Sequence, residues 1–294
     1  MPNIKEIANR INSVKATQQI TQAMKMVAAA KLGKVQQQVL QMRPYAEKLT
    51  AILDNVTASA GQQLARQYLE ERPVKNLLLV VMTSDRGLCG SFNANVLRKA
   101  STYLQGDTQG LAPTQITVLP IGRKALAFFQ RQPFQMITDY VALYHHLDFE
   151  HASPVAAFLI SAFLQHTYDQ VLLVYNAFQS AATQVPTVEP LLPITRSMDN
   201  TSLKQEAQID YIYEPSKMAL MEALVPRALQ IQFYKALLES NASEHGARMT
   251  TMSKATDNAE ELLKGLRLTY NRTRQAVITR EISEIVAGAD ALAS

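Results

Sequence analysis

Between Pro226 and Ser294 the chain has no further proline, and its three glycines there, Gly246, Gly265 and Gly288, stand far apart. At ~1.5 Å rise per residue, one helix over that stretch would run about 100 Å. Few globular domains need an element of that length, and an isolated helix gains most of its stability from a partner face. The other end of the chain offers that partner. Residues 3–42 also lack proline, hold a single glycine, Gly33, and are rich in Ala, Gln, Lys and Met, all good helix formers. Two long helices at opposite ends of a chain, with a compact domain between them, are expected to pair as an antiparallel coiled coil. The expected divisions are residues 1–60, 61–215 and 216–294, the first packing with the last.

The first helix begins as a heptad seam, with Ile4, Ile7, Ile11 and Val14 spaced 3, 4, 3. Gln18, Thr21 and Lys25 then occupy the places where apolar residues would continue it. The apolar set moves to Ile20, Met24, Val27 and Ala28, then to Leu32, Val35 and Val39. Such a shift predicts a local change of supercoil. Pro44 is expected to kink or end this helix, with helical composition resuming over residues 45–58. At the far end of the chain, residues 285–294 carry one charge, Asp290, and are apolar nearly all round. A helix end in open water would show a polar face, so this tip is expected to be enclosed by its own fold or by other chains.

Charge is unevenly spread. Residues 1–43 hold seven basic side chains (Lys5, Arg10, Lys15, Lys25, Lys31, Lys34, Arg43) against Glu6 alone. Beyond the bland reading of a solvated face, such a rod suits an anionic partner, either nucleic acid or the acidic loops of another protein. Cys89 is the only cysteine, which excludes an intrachain disulfide and a cysteine-based zinc cage. Hydrophobic residues at 47% and charged residues at 18% exclude a disordered chain. The longest apolar run, residues 77–82, is far short of the ~20 residues that span a bilayer. The start of the chain lacks the layout of a signal peptide, so a soluble protein that stays in its compartment of synthesis is expected.

The middle alternates. Residues 77–83 read as a strand buried on both faces. They are followed by a helix over 93–104, a strand over 114–121, a helix over 123–131 and a short strand over 134–141. A helix over 154–168 and a strand over 171–178 come next, and residues 185–194, with three prolines, can only be an edge strand or loop. This order predicts a Rossmann-like, mostly parallel sheet with flanking helices. The turn at 83–93, Thr-Ser-Asp-Arg-Gly-Leu-Cys-Gly-Ser-Phe-Asn, sits where nucleotide-binding turns sit. It has neither the G-x-G-x-x-G order nor the Gly-Lys-Ser/Thr of a phosphate loop, so a stand-alone nucleotide-binding protein is the lesser reading. Cys89 has no nearby histidine to act as base and reads as a packed structural residue. His145, His146 and His151 read as a solvated loop rather than a metal site.

Three stretches carry a resemblance to a known family. They are residues 4–32, with Ser13-Val14-Lys15-Ala16-Thr17-Gln18-Gln19-Ile20-Thr21-Gln22-Ala23-Met24-Lys25-Met26-Val27-Ala28-Ala29-Ala30-Lys31; the Asp85-Arg86-Gly87-Leu88-Cys89-Gly90 turn; and Ile278-Thr279-Arg280-Glu281-Ile282-Ser283-Glu284-Ile285-Val286-Ala287-Gly288-Ala289. Ala242-Ser243-Glu244-His245-Gly246-Ala247-Arg248-Met249 adds a fourth. Over essentially its whole length the chain resembles the gamma subunit of F-type ATP synthase, the central stalk of the rotary motor. Ser91 and Gly246 depart from the usual residues, and the cysteine pair of the light-regulated chloroplast form is absent.

The resemblance implies a shaft inside a ring of three alpha and three beta subunits, one copy per complex, with its apolar tip (Ile285, Val286, Ala289, Leu292) in a sleeve. It places Met24 where the shaft meets the beta lever, and Arg274, Gln275 and Thr279 against a beta-subunit loop. Lys25, Lys31 and Lys34 are expected to add electrostatic contact with that lever, which favours acidic protein loops over nucleic acid. The α/β domain is expected to bind the epsilon subunit and to rest on the membrane ring of c subunits. The implied role is to couple ion-driven rotation of that ring to ATP synthesis or hydrolysis on beta; the rival readings are the stand-alone nucleotide-binding protein and a coiled-coil scaffold that tethers cargo without rotating. No catalytic residue, cofactor or metal is expected in the subunit itself. Its implied place is peripheral, on the cytoplasmic face of the bacterial inner membrane.

Overall fold

In the computed structural model, residues 4–59, 67–68, 70, 72–106, 111–194 and 217–293 are described. The elements are α1 (Ile4–Ser59), β1 (Leu77–Met82), α2 (Phe92–Gly106), β2 (Ile116–Ile121), α3 (Arg123–Phe129), β3 (Gln135–Met136), α4 (Phe149–Leu164), β4 (Gln170–Phe178), β5 (Gln184–Leu192) and α5 (Lys217–Ala293). Two compact units result, one of residues 1–29 with 248–294, the other of residues 30–247.

The first unit is the antiparallel helix pair. Thr21 Oγ1 lies 2.8 Å from Thr256 Oγ1, and Lys25 Nζ donates to Ser253 Oγ at 2.9 Å. An advance of four residues on α1 is thus matched by a retreat of three on α5, which sets both direction and register.

The second unit is built on a five-stranded sheet of order β3-β2-β1-β4-β5. β1, β2, β3 and β4 run parallel, and β5 returns antiparallel beside β4. β1 is buried at every residue, as a central strand with cover on both faces must be. Side chains alternate between faces. Leu77, Leu79 and Val81 enter one core with Val96 and Ala100 of α2 and Ala125 and Phe129 of α3. α4 packs against β4, and Asp148 caps it by accepting the His151 N–H at 2.8 Å. β5 is an edge strand, as its prolines require; Pro186 and Pro190 pair with Asn176 and Leu172.

Three expectations are corrected. Of the two effects expected of Pro44, a kink or an end, the end is excluded, since α1 continues through it to Ser59. Proline removes one rung of the helical ladder, while strong helix formers hold the turns on either side; α5 passes Pro226 in the same way. The strand expected over 134–141 shrinks to Gln135–Met136. The chain leaves the sheet after Ile137 donates to Val118 O (3.0 Å), and four residues on Val141 O accepts the Gly122 N–H at 3.0 Å. The third correction concerns the coil seam. The expected apolar set holds at Ala28, Leu32 and Val35, which are buried, and at Met24 and Val39, which are half-buried; it fails at Ile20 and Val27, and the heptad position Thr21 is buried in their stead. Ile20 and Val27 are 60% and 57% exposed, against 9% for Thr21. Helix geometry fixes the seam once Ile4–Val14 have chosen a face; Thr21 is tolerated in it because it meets Thr256 across it, while Lys25 stays exposed beside it with its ammonium on Ser253.

Candidate functional site

On α5 the half-buried or buried positions Met252, Thr256, Ala259, Leu263, Leu266, Tyr270, Thr273 and Val277 step by 4 and 3. This is the heptad complementary to the one on α1. Carrying the register of the Thr21–Thr256 pair back along both helices sets Ile4 level with Thr273.

A polar layer interrupts this seam. Thr21 Oγ1 is within bonding distance of Gln18 O (3.0 Å) as well as Thr256 Oγ1, and Thr256 Oγ1 of Met252 O (2.8 Å). Two hydroxyls supply only two hydrogens for these three contacts, so one threonine gives up its backbone bond whenever the cross-helix bond forms. The layer is therefore satisfied without being over-determined.

The candidate contact residues fall into separate groups. Met24 is half-buried and Lys25 exposed, with its ammonium turned toward Ser253. Arg274, Gln275 and Thr279 are exposed on α5. Arg274 is 21 residues beyond Ser253, roughly 30 Å along the helix, so the coil does not bring these two groups together. Lys31 and Lys34 are exposed and belong to the sheet-bearing unit.

Beyond Val277 the character of α5 changes. Every residue from 278 to 289 is exposed. Ile278, Ile282, Ile285 and Ala289 lie 4, 3 and 4 residues apart on this overhang, a heptad seam that meets no partner among the described residues. Ile285 is 71% and Val286 54% exposed, and Ala289 is exposed too; the Leu292 side chain lies outside the described residues. The overhang spans about 24 Å. Ile278 and Ile282 extend the apolar tip further back than composition alone suggested, and the signal that could have found them is their heptad step.

The turn after β1 is a structural knot. Thr83 Oγ1 accepts the Ala125 N–H (2.8 Å), and Asp85 Oδ1 accepts the Arg123 N–H (3.0 Å) at the start of α3. Asn93 Oδ1 accepts the Ser84 N–H at 2.9 Å, and Asn93 Nδ2 lies 3.2 Å from the Cys89 sulfur. Cys89 is buried against Phe92 and Ala247, as a packed structural cysteine should be.

In a doubly wound sheet the ligand crevice opens at the carboxyl ends of the strands where the order reverses, here between β1 and β4. This chain fills that crevice with its own α5. Ser243 Oγ donates to Asn176 O at 2.9 Å, Asn176 Nδ2 donates to Phe92 O at 3.0 Å, and Ala247 lies on Cys89 and Phe92. The nucleotide-binding reading loses its site here.

His145 and His146 end a short 3-10 turn and are exposed. His145 Nε2 lies 3.6 Å from Asp85 Oδ2. The ring of His146 stacks on that of His151 at 5.6 Å, and His151 Nδ1 is 2.6 Å from Asp148 Oδ1. The His151 backbone N–H, then its ring, hold the Asp148 carboxyl below its ordinary value. Among the described residues no group of three or more His, Cys, Asp or Glu could hold a metal ion, and no helix is long and apolar enough to cross a membrane.

A family model described as ATP synthase matches residues 3–292. The chain is 59% identical over 292 residues to the ATP synthase gamma chain of Amoebophilus asiaticus, covering 99% of either sequence. Among solved structures it is similar to a chain of the Tetrahymena thermophila mitochondrial ATP synthase central stalk and c-ring, with 26% identity and a TM-score of 0.57, over 80% of this chain and 99% of that one. It also shares its fold with a chain of the Euglena gracilis mitochondrial ATP synthase OSCP/F1/c-ring assembly, with 23% identity and a TM-score of 0.64, over 98% of this chain and 94% of that one.

Proposed function

Since the chain belongs to the ATP synthase gamma-chain family, we propose that its overhanging helix end turns inside an apolar sleeve built by the alpha and beta subunits. The protein is the central rotor stalk of an F-type ATP synthase, and it couples ion-driven rotation of the membrane ring to ATP synthesis or hydrolysis on beta. The observation that supports the sleeve most strongly is the exposure of Ile278, Ile282, Ile285 and Val286. An exposed apolar patch of this kind marks an interaction site.

In this reading the subunit carries no catalytic residue and acts by contact. An asymmetric shaft presents a different face to each of three beta subunits and makes their sites inequivalent, a coupling that requires differential contacts in each state. Met24, Lys31 and Lys34 on α1 meet the acidic lever of a beta subunit, while Arg274, Gln275 and Thr279 meet a second beta loop roughly 30 Å along the helix. Lys25 contributes less than the other two lysines, because its ammonium is engaged with Ser253. The sheet-bearing unit binds epsilon and rests on the c-ring. The complex holds one copy of this chain per three alpha and three beta chains, on the cytoplasmic face of the bacterial inner membrane.

Purification of the complex by a tag on this chain tests the assignment. The expected result is alpha and beta in threefold excess over it; equimolar chains, or neither subunit, would contradict it. Replacing Lys25, Lys31 and Lys34 by Ala should lower coupled ATP synthesis, and an unchanged rate removes them from the lever contact.

A further inference from the structure

We infer that the turn after β1, together with β4 and β5, forms a torque clamp that grips residues 232–247 of α5 within the second unit, so that this length of helix and the sheet turn together. The inference rests on the stalk function proposed above. Between residues 248 and 277 α5 buries a single stripe, as one helix of a pair does. Between residues 236 and 247 it is different: every residue is buried except Glu239, which is half-buried. Ser240, Asn241, Ser243, Glu244 and His245 are buried along with the apolar residues.

Interdigitated apolar packing resists the turning of a helix by shape, but the hydrophobic effect itself sets no preferred angle. Directional bonds off the axis resist that turning, and the seat supplies them from several elements. Gln232 Nε2 donates to Glu189 Oε1 of β5 at 2.8 Å, and Glu189 is held in place by the Tyr175 hydroxyl of β4 at 2.5 Å. Ser243 Oγ donates to Asn176 O of β4, and Asn176 is tied by its own side chain to Phe92 O behind the β1 turn. Gly246 closes the seat. A Cβ there would lie 3.1 Å from Ala181 Cα and 3.3 Å from Ala181 O in the β4–β5 connection, so the bare helix surface lets that connection sit a few tenths of an ångström closer than an alanine would. The motif turn that resembles a nucleotide site is thus assigned a mechanical task.

The test uses the whole complex in sealed vesicles, with ATP-driven membrane potential per ATP hydrolysed read by a potential-sensitive dye. Ser243→Ala with Gln232→Ala removes two bonds and leaves the apolar seat. The expected complex assembles with alpha and beta and hydrolyses ATP within about twofold of the parent, while potential per ATP falls threefold or more. Ala247→Cys places a second thiol against Cys89. Oxidation with copper phenanthroline should cross-link the two, restore coupling in the weakened variant and leave the parent's coupling unchanged, and reduction of the same sample should reverse the rescue. A purely folding defect would not follow reduction and oxidation of one assembled sample.

Unchanged coupling in the doubly substituted complex overturns the clamp. So does loss of coupling when the cross-link is added to the parent, since the helix would then have to turn in its seat. Failure of the thiols to join overturns the packing on which the clamp rests. A chain absent from the purified complex overturns the stalk function itself, whereas a chain present with coupling intact overturns the clamp alone.

Discussion

Replacing Gly122 by Ala should be among the most damaging single changes in the sheet-bearing unit. Gly122 follows β2 directly and has φ +96° with ψ 143°. That region is essentially closed to L side chains and costs about 1–3 kcal/mol. An added Cβ would lie 2.0 Å from Thr83 O and 2.7 Å from Thr83 C. The obstruction is backbone, so it cannot be relieved by a rotamer change, and the two segments must part by about 1.5 Å to reach ordinary contact distance. That movement pulls on the Thr83 N–H to Ile121 O bond (2.8 Å), the Gly122 N–H to Val141 O bond (3.0 Å) and the Ala125 N–H to Thr83 Oγ1 bond (2.8 Å). Loss of two of them at about 1 kcal/mol each, added to the dihedral strain, gives about 3–5 kcal/mol, a large share of a typical domain's stability. With no tryptophan and eleven tyrosines, urea unfolding followed by near-ultraviolet circular dichroism reports this unit well. Gly265→Ala is the control, since a Cβ there meets nothing within 4 Å and should stabilise the helix by up to about 1 kcal/mol. A loss below about 1 kcal/mol for Gly122→Ala would refute the reasoning.

The polar layer of the coil makes a quieter prediction. Thr21→Val leaves Thr256 bonded to Met252 O, so it should cost less than about 1 kcal/mol. A double-mutant cycle with Thr256→Val should return a coupling of about 0.5 kcal/mol, and coupling near zero would mean the two hydroxyls do not bond. Asp148 makes a pH-dependent contribution. Its folded carboxyl lies below the ordinary 3.8, so the stabilisation is present above that value and is lost as pH falls through the lower folded value. The melting-temperature gap between the parent and Asp148→Ala should therefore narrow in strong acid, and a constant gap would contradict the cap. Ile285→Asp should leave the isolated chain's stability within about 0.5 kcal/mol, as befits an exposed site, yet reduce ATP hydrolysis by the assembled complex. Equal effects on both would remove the tip from the interface.

The heptad opening Ile4–Val14, the all-apolar run at Leu77–Met82 and the helix–strand alternation made the coil and the parallel sheet legible in the sequence, because each is a local pattern with one dominant period. The continuation of the seam was not. At Thr21 and Lys25 local hydropathy pointed to Ile20 and Val27, while the deciding partners, Thr256 and Ser253, lie more than two hundred residues away. The same limit applies to the crevice at the end of β1. A glycine-bearing turn between strand and helix is compatible with a nucleotide, and only the distant Ser243–Ala247 segment reveals that the place is taken. The departure at Gly246 is likewise explained only by distant backbone, that of Ala181, which lies close against it. The apolar tip was legible from composition, and its start at Ile278 required knowing where α1 ends beside α5.

The exposed end of α5 should complete its burial only inside a sleeve of other subunits. Hydrogen exchange at the amides and thiol labelling of cysteines placed at Ile278, Ile282 and Ile285, each compared between the isolated chain and the purified complex, test it directly. All three positions should label rapidly in the isolated chain and be strongly protected, by tenfold or more, in the complex. Equal labelling in both states would contradict that burial.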